Sequence, residues 1–140
     1  MSAALKAGSV YFAAVYAIGF ILGTARVLLL LPYVGETAAV LFETPLMLLV
    51  SWIAARWSSE SFSVPVTAPS RVAMGVTAFA LVILGELGVS ILVFGRSLDA
   101  TVATYRSLPG IVGLAAQVVF ALIPLMQAVL LRHSEFEHAD

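Results

Sequence analysis

The chain has 140 residues, of which 61% are hydrophobic and 11% charged, against soluble-protein norms of roughly 45–50% and ~25%. Seven Lys and Arg face eight Asp and Glu, a formal charge of -1, and there is no cysteine. With a mean hydropathy of +1.06, these values exclude a soluble globular domain, a disordered chain, a basic nucleic-acid binder and any disulfide or thiolate chemistry.

What remains is an integral membrane protein, and its elements can be taken in chain order. The first apolar stretch runs over about 8–31 and carries Gly19-x-x-x-Gly23, a pattern of small residues that lets helices approach closely in lipid. Pro32 and Gly35 are expected to end it. Lys6, the apolar run and Gly23-Thr24-Ala25 also fit a cleavable signal peptide. Cleavage there would strand Leu28 to Leu31 in a segment too short to span, so a membrane helix is the simpler account.

A turn of a few residues around Tyr33 to Glu36 makes the second stretch, about 37–57, an antiparallel neighbour of the first. Ser58, Ser59, Ser61, Ser63, Pro65 and Pro69 then mark a break, with Ser70 as the expected N-cap of a third stretch over about 72–94. Gly95 closes that stretch. Beyond it, Leu98, Val102 and Tyr105 recur at i, i+4 and i+7, which predicts a short helix over about 98–106 capped by Ser97. Such a helix would lie on the outer membrane surface, anchored by Tyr105 and Arg106; an irregular loop is the alternative. Pro109 opens the fourth stretch, about 109–131, where its missing N–H costs nothing.

Each stretch is near the ~20 residues a spanning helix needs, and none alternates with the period of a barrel strand. The expected fold is an all-α bundle of four transmembrane helices in one membrane domain over 1–140. The halves share faint similarity. Ile21-Leu22-Gly23 echoes Ile83-Leu84-Gly85, and Phe42 to Met47 resembles Phe120 to Met126 with one residue inserted. Two tandem helical hairpins are one reading, and chance likeness between apolar helices is the other.

Basic residues orient the bundle. Lys6, Arg56, Arg71 and Arg132 fall on the side of the termini, whereas Arg96 and Arg106 fall on the other. This distribution places both termini in the cytoplasm, with a bacterial inner membrane as the expected location. Trp52 and Trp57 suit that interface.

Ionisable groups inside a span cost roughly 2.5–3.5 kcal/mol each and need a reason. Three occur here, Arg26, Glu43 and Glu86, and Gln117 is their polar counterpart in the fourth helix. At a rise of 1.5 Å per residue, Arg26 and Glu43 lie roughly 9 Å from the first turn, and Glu86 and Gln117 roughly 12–13 Å from their helix ends. Each helix thus adds one polar group at a similar depth. Phe12, Tyr16, Gly19, Gly23 and Arg26 share one face. Glu43, Met47, Ser51 and Ala54 share another, Phe79, Glu86 and Ser90 a third, and Gly110, Gly113, Gln117, Pro124 and Gln127 a fourth. These stripes are expected to converge.

The bland account is a hydrogen-bonded layer that fixes helix register. The functional account starts from charge: one guanidinium can fully compensate only one of two carboxylates, and the other is free to load and release a proton or bind a ligand. Arg26, Glu43, Glu86 and Gln117 are therefore the candidate ligand- or proton-binding residues. Pro45 and Pro124 would kink their helices and free backbone carbonyls close to this layer.

Other chemistries lack their residues. His133 and His138 lie in the tail and do not have metal-pair spacing, so no metal or other cofactor is implied. No phosphate loop and no Ser-His-acid set is present, and an enzyme is unsupported. Two functions remain from different classes: a small membrane protein that binds or translocates a solute, and a structural or accessory subunit of a larger membrane complex. The expected partners are the lipid bilayer and either further copies of the chain or that complex, with no nucleic acid.

Overall fold

The computed structural model describes residues 2–139, which contain helices and no strand. Four helices are long and apolar enough to cross a membrane: Ala3–Val34, Glu36–Ser61, Ala68–Val93 and Leu108–Glu137. A short helix, Leu98–Thr104, sits in the last connection. The first helix packs on the second and third, and the fourth packs on the same two. The order around the bundle is therefore first, third, fourth, second.

Several boundaries differ from the sequence expectation, each for a local reason. Pro32 does not end the first helix. Ahead of it the backbone widens into a π-helical turn over Arg26–Leu30, because the missing N–H and bulk of the ring oppose a regular α turn there. The helix then continues to Val34 and stops at Gly35, whose φ of 79° is one that glycine adopts without strain. The second helix runs on through Ser58 and Ser59, which are buried inside it, and the break proper is residues 62–67. The third helix is N-capped at Thr67 instead of Ser70; the Thr67 hydroxyl donates to Ser70 Oγ at 2.9 Å. The fourth helix starts one residue before Pro109, with Ser107 accepting from the Gly110 amide, and extends to Glu137. The predicted outer segment is helical, and Ser97 caps it by accepting from the Ala100 amide.

The bundle is packed unevenly along its length. Near the termini the helices close on small residues. A Cβ on Gly8 would lie 2.6 Å from the Met74 carbonyl oxygen, and one on Gly75 would run into the carbonyl oxygen of Ala121. Ala7, Ala55 and Ala78 are buried between them, with Tyr11, Met74, Phe120 and Ile123 filling the remaining space. Contact this close is what holds helices together where lipid removes the hydrophobic drive. The expected pair, Gly19 and Gly23, does something else. Gly19 makes room for the Met47 side chain, and nothing lies within 4 Å of a Cβ on Gly23. The half of the bundle farther from the termini is correspondingly open.

Pro45 and Pro124 both lie inside continuous helices. Pro124 leaves the Phe120 carbonyl without its i+4 donor. The Tyr11 hydroxyl of the first helix takes that place, donating to Phe120 O at 2.8 Å.

Candidate functional site

The open half contains a cavity of about 600 Å³, lined from all four long helices. Arg26, Glu43, Glu86 and Gln117 all line it. Three of the four predicted stripes reach it in the expected register: Tyr16, Gly19, Gly23 and Arg26; Glu43, Met47 and Ser51; and Gly113 with Gln117. Its lining is mainly apolar, and exposed Phe20, Leu28 and Phe94 edge it. Phe120 and Ser51 lie toward the packed half, where Tyr11 stacks on Phe120 with ring centroids 4.3 Å apart.

The four polar groups form two pairs. Arg26 Nε lies 3.1 Å from Glu43 Oε2, across the tight turn between the first two helices, with side-chain exposures of 30% and 16%. Arg26 opens the π-helical turn, so the wider backbone that accommodates Pro32 also sets where its side chain begins. On the other side, Gln117 Nε2 donates to Glu86 Oε1. Among the described residues Glu86 has no ion pair; Arg26 does not reach it.

Tyr105 has a partner that sequence reasoning did not give it: its hydroxyl donates to Glu86 Oε2 at 2.7 Å. Burial, then the hydrogen bond and the negative charge of Glu86, push the Tyr105 phenol well above the ordinary tyrosine range, so it is a donor throughout the physiological range. The spacing of Leu98, Val102 and Tyr105 does not reveal this, because Leu98 and Val102 are exposed; the buried face of the short helix is marked by Thr101. Thr101 Oγ1 and Ser90 Oγ lie 2.8 Å apart, tying the short helix to the end of the third. A second π-helical turn, Val89–Val93, shapes that end. At the other end of the connection, a Cβ on Gly110 would run into the Thr104 carbonyl oxygen. The connection is thereby docked against the third and fourth helices beside Glu86.

The polar atoms of the cavity are unbalanced. Arg26, Glu43 and Glu86 sum to a formal charge of one negative unit when ionised. A carboxylate cannot donate, so the Gln117 amide nitrogen must face Glu86, and its Oε1 is left buried without a donor. Glu43 Oε2 is also buried without a hydrogen bond, despite its ion pair. The hydroxyls of Thr24, Thr44 and Ser51 donate to the carbonyls of Phe20, Val40 and Met47 in their own helices. Their protons are spent, so they offer the cavity lone pairs. Arg26 brings five N–H donors to the same wall, so what the cavity has in excess is carboxylate charge, two against one.

No group of three or more His, Cys, Asp or Glu side chains suited to holding a metal occurs among the described residues. Comparison with protein families, with curated proteins and with solved structures gives no match to this chain.

Proposed function

We propose that this chain is a small integral membrane protein that binds, and moves, a small apolar cation in the cavity beneath the short connecting helix. A proton serves as the competing occupant of its carboxylates. The observation that carries the reading is the surplus of negative charge: two carboxylates line the cavity against one guanidinium, Arg26 pairs with Glu43, and Glu86 is met only by the neutral donors Gln117 and Tyr105. A cavity of about 600 Å³ is of the size that encloses drug-like ligands, and a mainly apolar wall with a few fixed polar atoms is the usual composition of such sites. A cation entering it gains the carboxylate of Glu86, which has no ion-pair partner among the described residues. The close-packed half around Tyr11, Met74 and Gly75 closes the cavity toward the termini, so release on that side requires the helices to part. By the distribution of Lys and Arg, the mouth faces away from the cytoplasm of a bacterial inner membrane.

Reconstitution in liposomes with an imposed pH gradient tests this. Uptake of a lipophilic cation such as tetraphenylphosphonium is expected, and Glu86→Gln and Glu43→Gln should each reduce it at least tenfold. Flux unchanged by both substitutions overturns the proposal. A stoichiometric partner in material purified gently from native membranes, together with no cation binding, favours the accessory-subunit reading instead.

A further inference from the structure

A second cavity lies at the opposite end of the bundle, where the termini and residues 62–67 meet. It measures about 250 Å³ and is lined by Trp52, Arg56, Ser59, Glu60, Arg71, Gln127, Leu130 and Leu131. We propose that this crevice binds the phosphodiester headgroup of an anionic molecule that carries a free hydroxyl beside the phosphate, as phosphatidylglycerol does.

Arg71 is the first ground. It is only 4% exposed, yet among the described residues it has no ion-pair partner. A guanidinium has five N–H donors. Here Nε donates to the Pro65 carbonyl at 3.3 Å and one Nη2 hydrogen to the Val64 carbonyl at 3.4 Å, both long contacts. The rest of its donor capacity belongs to a side chain that lines the crevice. A buried charge with so little compensation is expensive, and the geometry of a guanidinium fork suits phosphate oxygens.

The other charges do not supply the missing partner. Glu60 acts on Arg71 through space, but its carboxylate is held by Arg56 one turn away at 3.0 Å and gives Arg71 no contact. Arg132, the next residue after Leu131, spends its Nε and Nη2 on the Val66 carbonyl at 3.0 and 2.8 Å. The crevice thus keeps one net positive charge, matched to one phosphodiester.

Gln127 is the second, independent ground. It is 6% exposed, and its Nε2 donates to the Trp52 carbonyl at 2.8 Å. A carbonyl cannot donate, so the amide orientation is fixed and Oε1 is left buried with no partner. Phosphate alone does not satisfy it, because phosphate at neutral pH offers mainly acceptors. A hydroxyl next to the phosphate does, once the Gln127 amide turns toward the crevice it lines. Leu130 and Leu131 are exposed at the same place and offer apolar surface to the ester region and chains of a lipid. The arrangement has the form of the basic interhelical pockets that take anionic headgroups at a membrane interface.

The test is native mass spectrometry and thermal unfolding of the whole chain in a neutral detergent, with phosphatidylglycerol, phosphatidylcholine or the soluble phosphodiester glycerophosphoglycerol added. The wild type is expected to retain phosphatidylglycerol at least tenfold more strongly than phosphatidylcholine and to unfold at a higher temperature with it. Arg71→Gln should lose about tenfold or more of that affinity, as expected for a charge-assisted contact. Arg71→Lys should recover part of the loss, and Gln127→Leu should narrow the preference for a hydroxyl-bearing headgroup. Glycerophosphoglycerol bound as tightly as the lipid supports the site and assigns it to a free anion. Equal retention of the two lipids by the wild type overturns the proposal, and so does a preference that survives Arg71→Gln. Should Arg71→Gln fail to fold, the wild-type preference and the Gln127→Leu comparison decide the matter alone. None of these outcomes depends on cation binding in the other half of the bundle.

Discussion

The Tyr11 hydroxyl donates to the carbonyl of Phe120, 109 positions away in sequence, at 2.8 Å. That carbonyl belongs to the residue four before Pro124, so the proline has removed its normal donor. A defect made by one helix is repaired by the side chain of another, and the repair sits where the close-packed half of the bundle meets the cavity. Tyr11 is fully buried, so both ends of the bond are shielded from water.

This relationship predicts a coupled pair. Tyr11→Phe should lower stability in detergent by about 0.5–2 kcal/mol, the range for a buried hydrogen bond in a membrane bundle. Pro124→Ala restores a backbone donor to Phe120, so in that background Tyr11→Phe should cost less. Thermal unfolding of the two single variants and the double variant measures the difference. Additive effects would show that the hydroxyl does not compensate for the proline.

The Arg26–Glu43 pair predicts a second cycle. Removing Arg26 with Leu leaves two carboxylates without a cation near them, whereas removing Glu43 with Gln leaves a guanidinium without its anion. Each change should destabilise by roughly 1–3 kcal/mol, and the double variant should recover part of the loss, because a half-broken pair is worse than none. Replacing Glu86 by Gln in the Arg26→Leu background should recover less, since Glu86 is held by Gln117 and Tyr105 and not by Arg26.

Tyr105 carries a pH prediction with a definite sign. Its phenol is raised in the folded state by burial and by Glu86. Below the unfolded phenol pKa of about 10 both states hold the proton, and the contribution to stability is constant. Above it the unfolded chain ionises first, so stability should fall as pH rises further. A difference titration of tyrosinate absorbance, wild type minus Tyr105→Phe, should show this phenol ionising above the ordinary range. Tyr105→Phe should also speed hydrogen exchange across residues 98–106, by loosening the connection from Glu86. Ionisation at the ordinary value, with unchanged exchange, would place the hydroxyl in water.

Close approach gives a steric prediction. Gly75→Ala introduces a Cβ into the backbone carbonyl of Ala121, which cannot rotate away as a side chain could. The third and fourth helices must separate, at a cost of about 1–3 kcal/mol, as overpacking usually demands. Gly23→Ala meets nothing within 4 Å and should leave stability nearly unchanged while reducing the cavity volume. Equal unfolding temperatures for the two variants would contradict the uneven packing of the bundle.

Composition and spacing were enough for the four long helices, because length and apolarity are what a bilayer demands of a helix. The depth argument brought Arg26, Glu43, Glu86 and Gln117 to one cavity, because rise per residue is fixed and the turns are short. Equal depth on either side of a tight turn also sets Arg26 opposite Glu43, the carboxylate it meets. That Glu86 stays out of its reach was not legible, because it depends on the order of helices around the bundle, and that order follows from where Gly8 and Gly75 let backbones touch. A glycine that lines a cavity and one that admits a neighbouring carbonyl look alike in sequence, so spacing alone assigns Gly19 and Gly23 to a helix contact they do not make. Tyr105 was missed because an interfacial tyrosine and one turned inward share the same spacing; the hydroxyls of Ser90 and Thr101 decide between them.

The cavity predicts how cation binding and pH oppose each other. A cation bound there is held by carboxylate charge, and a proton on the same carboxyl removes that charge. Affinity for tetraphenylphosphonium in detergent should therefore decline as pH is lowered. Glu86 dominates in this account, because Glu43 already has Arg26 at 3.1 Å, whereas Glu86 has only the neutral donors Gln117 and Tyr105. Glu86→Gln should weaken binding about tenfold or more, the scale of one lost charge-assisted contact, and should flatten the pH dependence. Glu43→Gln should weaken binding while leaving a pH dependence in place. If the pH dependence survives in Glu86→Gln and disappears in Glu43→Gln, the roles of the two carboxylates are reversed. If it survives in both, the proton does not compete at this site.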